Sequence, residues 1–104
     1  MGISFGKPHA ASKAEIDALV EGFAHAAEYL EKAGFDGIQL HGAHGYIISQ
    51  FLSRRTNKRT DEYGGSFENR IRLLLEIMEA VQSVWPETLP LFVRISATDW
   101  VEGG

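Results

Sequence analysis

Phe35-Asp36-Gly37-Ile38-Gln39-Leu40-His41-Gly42-Ala43-His44-Gly45-Tyr46 is the stretch on which the reading of this chain turns. From Phe35 to His41 the spacing of two puts Ile38 and Leu40 on one face and Gly37, Gln39 and His41 on the other, as a β-strand does. The run then breaks into a glycine-rich turn that carries two imidazoles, with a phenol just beyond. A buried strand that ends by presenting such groups together has the composition of a catalytic mouth.

Outward from this strand the period changes to that of a helix. Upstream, Ser12 with Glu15 fits a capping box, and Ile16, Leu19, Val20, Phe23, Ala24, Ala27 and Leu30 recur on one face until Gly34 closes the helix. Residues 1–11, with two glycines and a proline, read as an incoming loop. Downstream, Tyr46 to Leu52 reads as a short helical turn, because Ile47, Ile48, Phe51 and Leu52 repeat at three and four. Ser53 to Gly65 is polar, irregular and long for an interior connection, and such loops are usually functional or disordered. Ser66 then serves as the N-cap of a second helix, with Glu68 in its first turn. Its apolar stripe is Ile71, Leu74, Leu75, Met78, Val81 and Trp85, stopped by Pro86. Leu91 to Ser96 reads as a second strand, with Leu91, Val93 and Ile95 on one face and Phe92, Arg94 and Ser96 on the other. An arginine is thereby placed inside an otherwise buried run.

The order helix, strand, helix, strand makes a βαβ unit, which predicts an α/β fold with parallel strands and a right-handed crossover. Two strands cannot close a sheet, so strand edges are left unpaired. The apolar strand faces match the helices that cover them, while Gln39, His41 and Arg94 on the other faces need a polar ligand or further strands. No internal repeat, low-complexity tract or linker divides the chain, and 1–104 reads as one segment.

The 104 residues, 44% apolar and 23% charged, suffice for a small core. A net charge of -4 gives no global attraction to nucleic acid or anionic membranes, so neither is expected as a partner. With no cysteine there is neither a disulfide framework nor a thiolate metal site. No run approaches the roughly 18 apolar residues that span a bilayer, and the start lacks a signal-peptide core, which predicts a soluble cytoplasmic chain. Arg54, Arg55, Lys58 and Arg59 are followed by Asp61-Glu62 and lack interleaved aromatics, the pattern of an internally paired loop rather than a phosphate or nucleic-acid site. Gly64-Gly65 reads as a turn, since neither a Walker pattern nor Gly-x-Gly-x-x-Gly surrounds it.

Both strands end in reactive or charged groups, and in parallel α/β folds ligands sit at the carboxyl ends of strands. His41 and His44 can together hold a carbonyl or nitro oxygen as it gains negative charge; the plainer reading of either alone is a structural histidine. Metal binding by the pair is a further reading, but neither a nearby acidic ligand nor His-Glu-x-x-His supports it. Tyr46 either anchors the short helix or acts as a general acid toward a carbon. Arg94 either pairs with a carboxylate across the sheet or faces an anionic or electron-accepting ring.

The stretch quoted above, followed by Ser49-Gln50-Phe51-Leu52-Ser53, Asn57-Lys58-Arg59-Thr60-Asp61-Glu62-Tyr63-Gly64-Gly65-Ser66, Glu68-Asn69-Arg70 and Phe92-Val93-Arg94-Ile95-Ser96-Ala97, resembles the old yellow enzyme family of flavin-dependent oxidoreductases. The motifs lie in the family's order and cover nearly the whole chain. The His-Gly-Ala-His form is similar to the xenobiotic-reductase and NADPH-dehydrogenase branch; other members carry asparagine at the position of His44. Arg54 stands where the family commonly has proline, and Gln39 where glutamate is frequent.

The resemblance implies an FMN-bearing (β/α)8 TIM barrel that takes hydride from NADPH or NADH and passes it to an activated alkene, a small-molecule substrate. It implies that His41 and His44 bind the substrate oxygen, that Tyr46 gives the proton to the α carbon, and that Arg94 lies by the pyrimidine edge of the flavin. A barrel of this kind takes about 250 residues, so a middle segment of an ene-reductase, with about two of eight strands, is expected. The family's flavin N5, ring-glutamine and phosphate-loop residues lie outside such a segment, so the chain alone is expected to be inactive and to hold FMN weakly. A homo-oligomer of the whole parent is left open. Two other hypotheses remain: a non-catalytic remnant that associates through open strand edges, and a metal-dependent barrel hydrolase using the histidine pair.

Overall fold

The computed structural model describes residues 10–100 and 102, and the loop expected over residues 1–11 falls mostly outside them. The elements run α1 (Lys13–Lys32), β1 (Ile38–Gly42), α2 (Ile47–Leu52), α3 (Phe67–Arg70), α4 (Arg72–Gln82) and β2 (Leu91–Ile95). β1 and β2 pair in parallel as a two-stranded sheet, Ile38 opposite Leu91 and His41 opposite Arg94. This is the α/β architecture of two units of a (β/α)8 barrel.

α1 forms as its capping signals require. Ser12 Oγ accepts from Glu15 N at 3.2 Å while Glu15 Oε1 accepts from Ser12 N at 3.0 Å, so two orphan donors of the first turn are satisfied reciprocally. At the other end Gly34 N donates to Glu31 O and Phe35 N to Leu30 O, the paired bonds of a Schellman motif. The strand opening at Phe35 in the sequence reading begins three residues later, because that closing turn still occupies Phe35.

One core lies between α1, α4 and one face of the sheet. Ile16, Ala27, Leu40, Ile48, Leu73, Ile77, Val81 and Trp85 are buried together, with Ile38, Leu91 and Val93 packed against them. The buried stripe of α4 is therefore Leu73, Ile77 and Val81, at spacings of four, and not the one led by Ile71, Leu74 and Leu75. Leu75 lies two residues, or about 200°, from Leu73 around a 3.6-residue helix, and it is 52% exposed.

The second helix is also two helices. Ile71 ends α3, and the break falls where neighbouring side chains are tied to loop carbonyls. Asn69 Nδ2 donates to Gly64 O, Arg70 Nη1 to Leu52 O, and Arg72 Nε to Glu62 O. Regular helix ends at Gln82 rather than Trp85, and one further turn, with Trp85 N donating to Val81 O, carries the indole before Pro86.

β2 departs from its sequence reading in its surroundings. Arg94 was expected within a buried run, yet it is exposed, as are Phe92 and Ile95 at 56% and 57%. α1 and α4 cover the Leu91 and Val93 positions only, and no helix or strand among the described residues covers the opposite face.

Candidate functional site

The parallel register places His41 and Arg94 in one row, which sets both side chains on the same face of the sheet. Neighbouring strands run about 4.8 Å apart, so the two side chains leave the sheet from adjacent positions. Both are exposed, and both stand on the face that the helices do not cover. Gly42 makes the close approach of the strands possible at this end: a Cβ there would meet Arg94 O at 2.9 Å and Ile48 Cγ2 at 3.3 Å.

After Gly42 the chain turns back over the rim. His44 and Gly45 have φ of 59° and 75°, and Tyr46 N donates to Ala43 O at 3.4 Å. Positive φ at both central residues is the mark of a type I′ turn. For histidine the left-handed conformation costs on the order of 1 kcal/mol or more, and such outliers cluster at functional sites. Its effect is to fold the ring back: the His41 and His44 ring centroids lie 5.4 Å apart at 72°, and the His41 and Tyr46 centroids 5.0 Å apart at 49°. Tyr46 is the N-cap of α2 through its extended backbone and makes no capping bond with its side chain, so its phenol remains exposed at the rim.

Of the four residues singled out in the sequence, His41, His44 and Tyr46 bring their rings together at the carboxyl end of β1, and Arg94 lies in the row of His41 at that end of β2. Among the described residues none of the four makes a side-chain hydrogen bond or an ion pair. Two imidazoles, a phenol and a guanidinium on one open rim can donate hydrogen bonds to a ligand oxygen, donate a proton and hold an anion. No group of three or more His, Asp or Glu that could hold a metal is found among the described residues.

Behind the rim the polar loop is organised by the expected charge pairing, by Gly64, and by Asn57 and Tyr63, to which the sequence reading gave no structural role. Asn57 is buried and donates through Nδ2 to both Phe51 O and Tyr63 O at 2.7 Å, while its Oδ1 accepts from Arg59 N. Arg59 and Asp61 form a two-pronged pair, as the internally paired reading required. That hydrogen bond holds the Asp61 carboxyl below the usual range and raises the Arg59 guanidinium. Gly64 packs so closely that a Cβ would meet Arg59 Cβ at 2.6 Å. Tyr63, 1% exposed, donates to Glu76 and accepts from Lys13, tying the loop to α1 and α4; burial pushes its phenol up. The bond from Lys13 to Asp17, with Tyr63 adding to it, raises the Lys13 ammonium.

Gln50 was also passed over: its Nε2 donates to Gly45 O at 2.8 Å, inside the turn that carries His44. A glutamine on the exposed side of a short amphipathic turn gives no periodic signal, and only the turn geometry reveals its partner.

The sequence model of the NADH:flavin oxidoreductase / NADH oxidase family matches residues 3–104. An NADPH dehydrogenase of Halalkalibacterium halodurans is 54% identical over 105 residues, covering 98% of this chain and 30% of that protein. An NADH:flavin oxidoreductase of Gibberella zeae is 55% identical over 95 residues, 91% of this chain and 23% of that protein. Among solved structures, morphinone reductase in complex with tetrahydroNAD superposes with a TM-score of 0.80 at 41% identity, covering 85% of this chain and 24% of that one. The chain thus spans 23% to 30% of these proteins' length. Family match, sequence identity and superposition agree, and this chain belongs to the NADH:flavin oxidoreductase / NADH oxidase family, the old yellow enzyme group that its motifs resemble.

Proposed function

We propose that residues 1–104 are the central segment of an FMN-dependent NAD(P)H oxidoreductase that reduces activated alkenes, such as α,β-unsaturated carbonyl or nitro compounds. The observation that carries this reading is the single row of His41 and Arg94 on the open sheet face, with His44 and Tyr46 folded over its end. Two parallel strands are a quarter of an eight-stranded barrel, matching the share of the relatives that the chain spans. The segment alone is expected to be inactive.

The residues fit a flavin at this face. Arg94 carries a permanent, planar positive charge, is exposed, and has no carboxylate partner among the described residues. It is suited to the pyrimidine edge of a ring that becomes anionic on reduction, and it is the cofactor-binding residue of this proposal. When bound, FMN, reduced by NADPH or NADH, supplies hydride to the β carbon of the alkene.

His41 and His44 donate N–H hydrogen bonds to the carbonyl or nitro oxygen, orient the alkene and stabilise the negative charge that gathers on that oxygen. Tyr46, beside His41, passes its phenolic proton to the α carbon and regains one from solvent. The requirement for NAD(P)H supports a cytoplasmic location. A remnant that associates through its edges is the second reading, favoured by two outer strand edges and by exposed Phe92 and Ile95 on β2.

The test is a graft in which this chain replaces the matching stretch of the Halalkalibacterium halodurans enzyme. The expected product is yellow and is reoxidised by an activated alkene; Tyr46→Phe slows that step at least tenfold, and His41→Ala does the same. A colourless graft, or one whose alkene reoxidation ignores both substitutions, sinks the proposal.

A further inference from the structure

We infer that Gln50 is a positioning residue whose carboxamide locks the His44–Gly45 turn and so aims the His44 imidazole at the rim. This deepens the proposed function and rests on it for its catalytic meaning, though the structural part stands alone. Gly45 O can only accept, so the group facing it at 2.8 Å must be the amide NH2 of Gln50. Among the described residues, one other hydrogen bond closes this turn, Tyr46 N to Ala43 O, and it is long at 3.4 Å. The turn also contains a histidine at φ 59°, a conformation that a non-glycine residue keeps only when its surroundings over-determine it.

Gln50 is well placed to do so. Its backbone N donates to Tyr46 O at 2.9 Å, and its own carbonyl accepts from Thr56 Oγ1 at 2.8 Å. One residue therefore ties the turn, the N-cap Tyr46 and the polar loop together. His44 faces His41 edge-on at 5.4 Å only while the turn holds.

The decisive comparison is Gln50→Glu against Gln50→Lys in the grafted enzyme. Glutamate keeps the shape and loses the donor; lysine keeps a donor on a long stem. In a crystal structure of Gln50→Glu, His44 is expected to leave the left-handed region, whereas in Gln50→Lys it stays. Reoxidation by the alkene is expected to fall about tenfold in Gln50→Glu and to recover in Gln50→Lys. Reoxidation by dioxygen, which needs no oxygen clamp, is expected to stay unchanged in both. Because Gln50 is exposed, both variants are expected to fold, with melting temperatures as the control. His44 remaining near φ 59° in Gln50→Glu, with its alkene rate intact, overturns the inference. If His41→Ala and Tyr46→Phe also leave the alkene rate intact, the proposed function has failed separately, and the His44 backbone in Gln50→Glu still decides the role of Gln50.

Discussion

On the side of the sheet that α1 and α4 cover, Leu40 and Val93 join Leu73, Ile77 and Val81 in one apolar core, whereas on the other side His41, Phe92 and Arg94 stand open. The same two strands build both surfaces, because alternate residues point to opposite faces. On the covered face, volume and apolar area matter and the chemistry of the groups is uniform. On the open face the groups are polar, charged or aromatic, and among the described residues His41 and Arg94 make no side-chain hydrogen bond or ion pair. The first surface holds the segment together, and the second is the one that the proposed function assigns to flavin and substrate. Substitutions should separate accordingly, with stability lost on one side and ligand-directed chemistry on the other.

The largest stability effect is expected on the covered side. Ile77→Ala removes a fully buried side chain and should cost about 2 to 5 kcal/mol, read by urea unfolding with tryptophan fluorescence. A loss under about 1 kcal/mol would mean that α4 is not a core element. Next comes the loop that backs the rim: Asn57→Ala strands the carbonyls of Phe51 and Tyr63 and should cost about 1 to 3 kcal/mol in the same assay. On the open face, Arg94→Ala should shift unfolding by no more than about 0.5 kcal/mol, while in the grafted enzyme it weakens flavin retention in a dialysis assay. A large stability loss with full retention would invert the comparison between the two faces.

The smallest effect concerns acid. Asp61 is held below the ordinary carboxylate range by Arg59, so the folded state binds its proton less readily than the unfolded chain. Its stabilisation is complete above the unfolded pKa of about 4 and is lost as pH falls through the lower folded value. The pair is partly solvated, so the effect is at most about 1 kcal/mol. Asp61→Asn should remove that share of the acid slope in stability measured between neutral and low pH; an unchanged slope would show the pair to be idle.

Much of this was legible in the residues. α1 announced itself through Ser12, Glu15 and Gly34, because capping and periodicity are local. The strand alternation around His41 placed that residue on the open face for the same reason. The phase of α4 was misread because Leu73, Leu74 and Leu75 are consecutive, and periodicity alone cannot say which of three adjacent leucines turns inward; packing against α1 chose Leu73. The exposure of Arg94 was also beyond the strand pattern, which describes faces but not what covers them. Asn57 and Gln50 bond to backbone carbonyls and Tyr63 to the side chains of Glu76 and Lys13, and such partners have no signature in spacing. The roles of His41, His44, Tyr46 and Arg94 in the chemistry remain those of the proposal.

Whether His41 and Arg94 share a face is tested most directly by turning the pair into a metal site. Arg94→His should create, with His41, a cross-strand imidazole pair in one row, whereas Ile95→His places its imidazole on the opposite face as the control. Zinc affinity measured by calorimetry on the 104-residue chain should rise at least tenfold in Arg94→His over Ile95→His. Equal affinities in the two variants would contradict the shared face and, with it, the site.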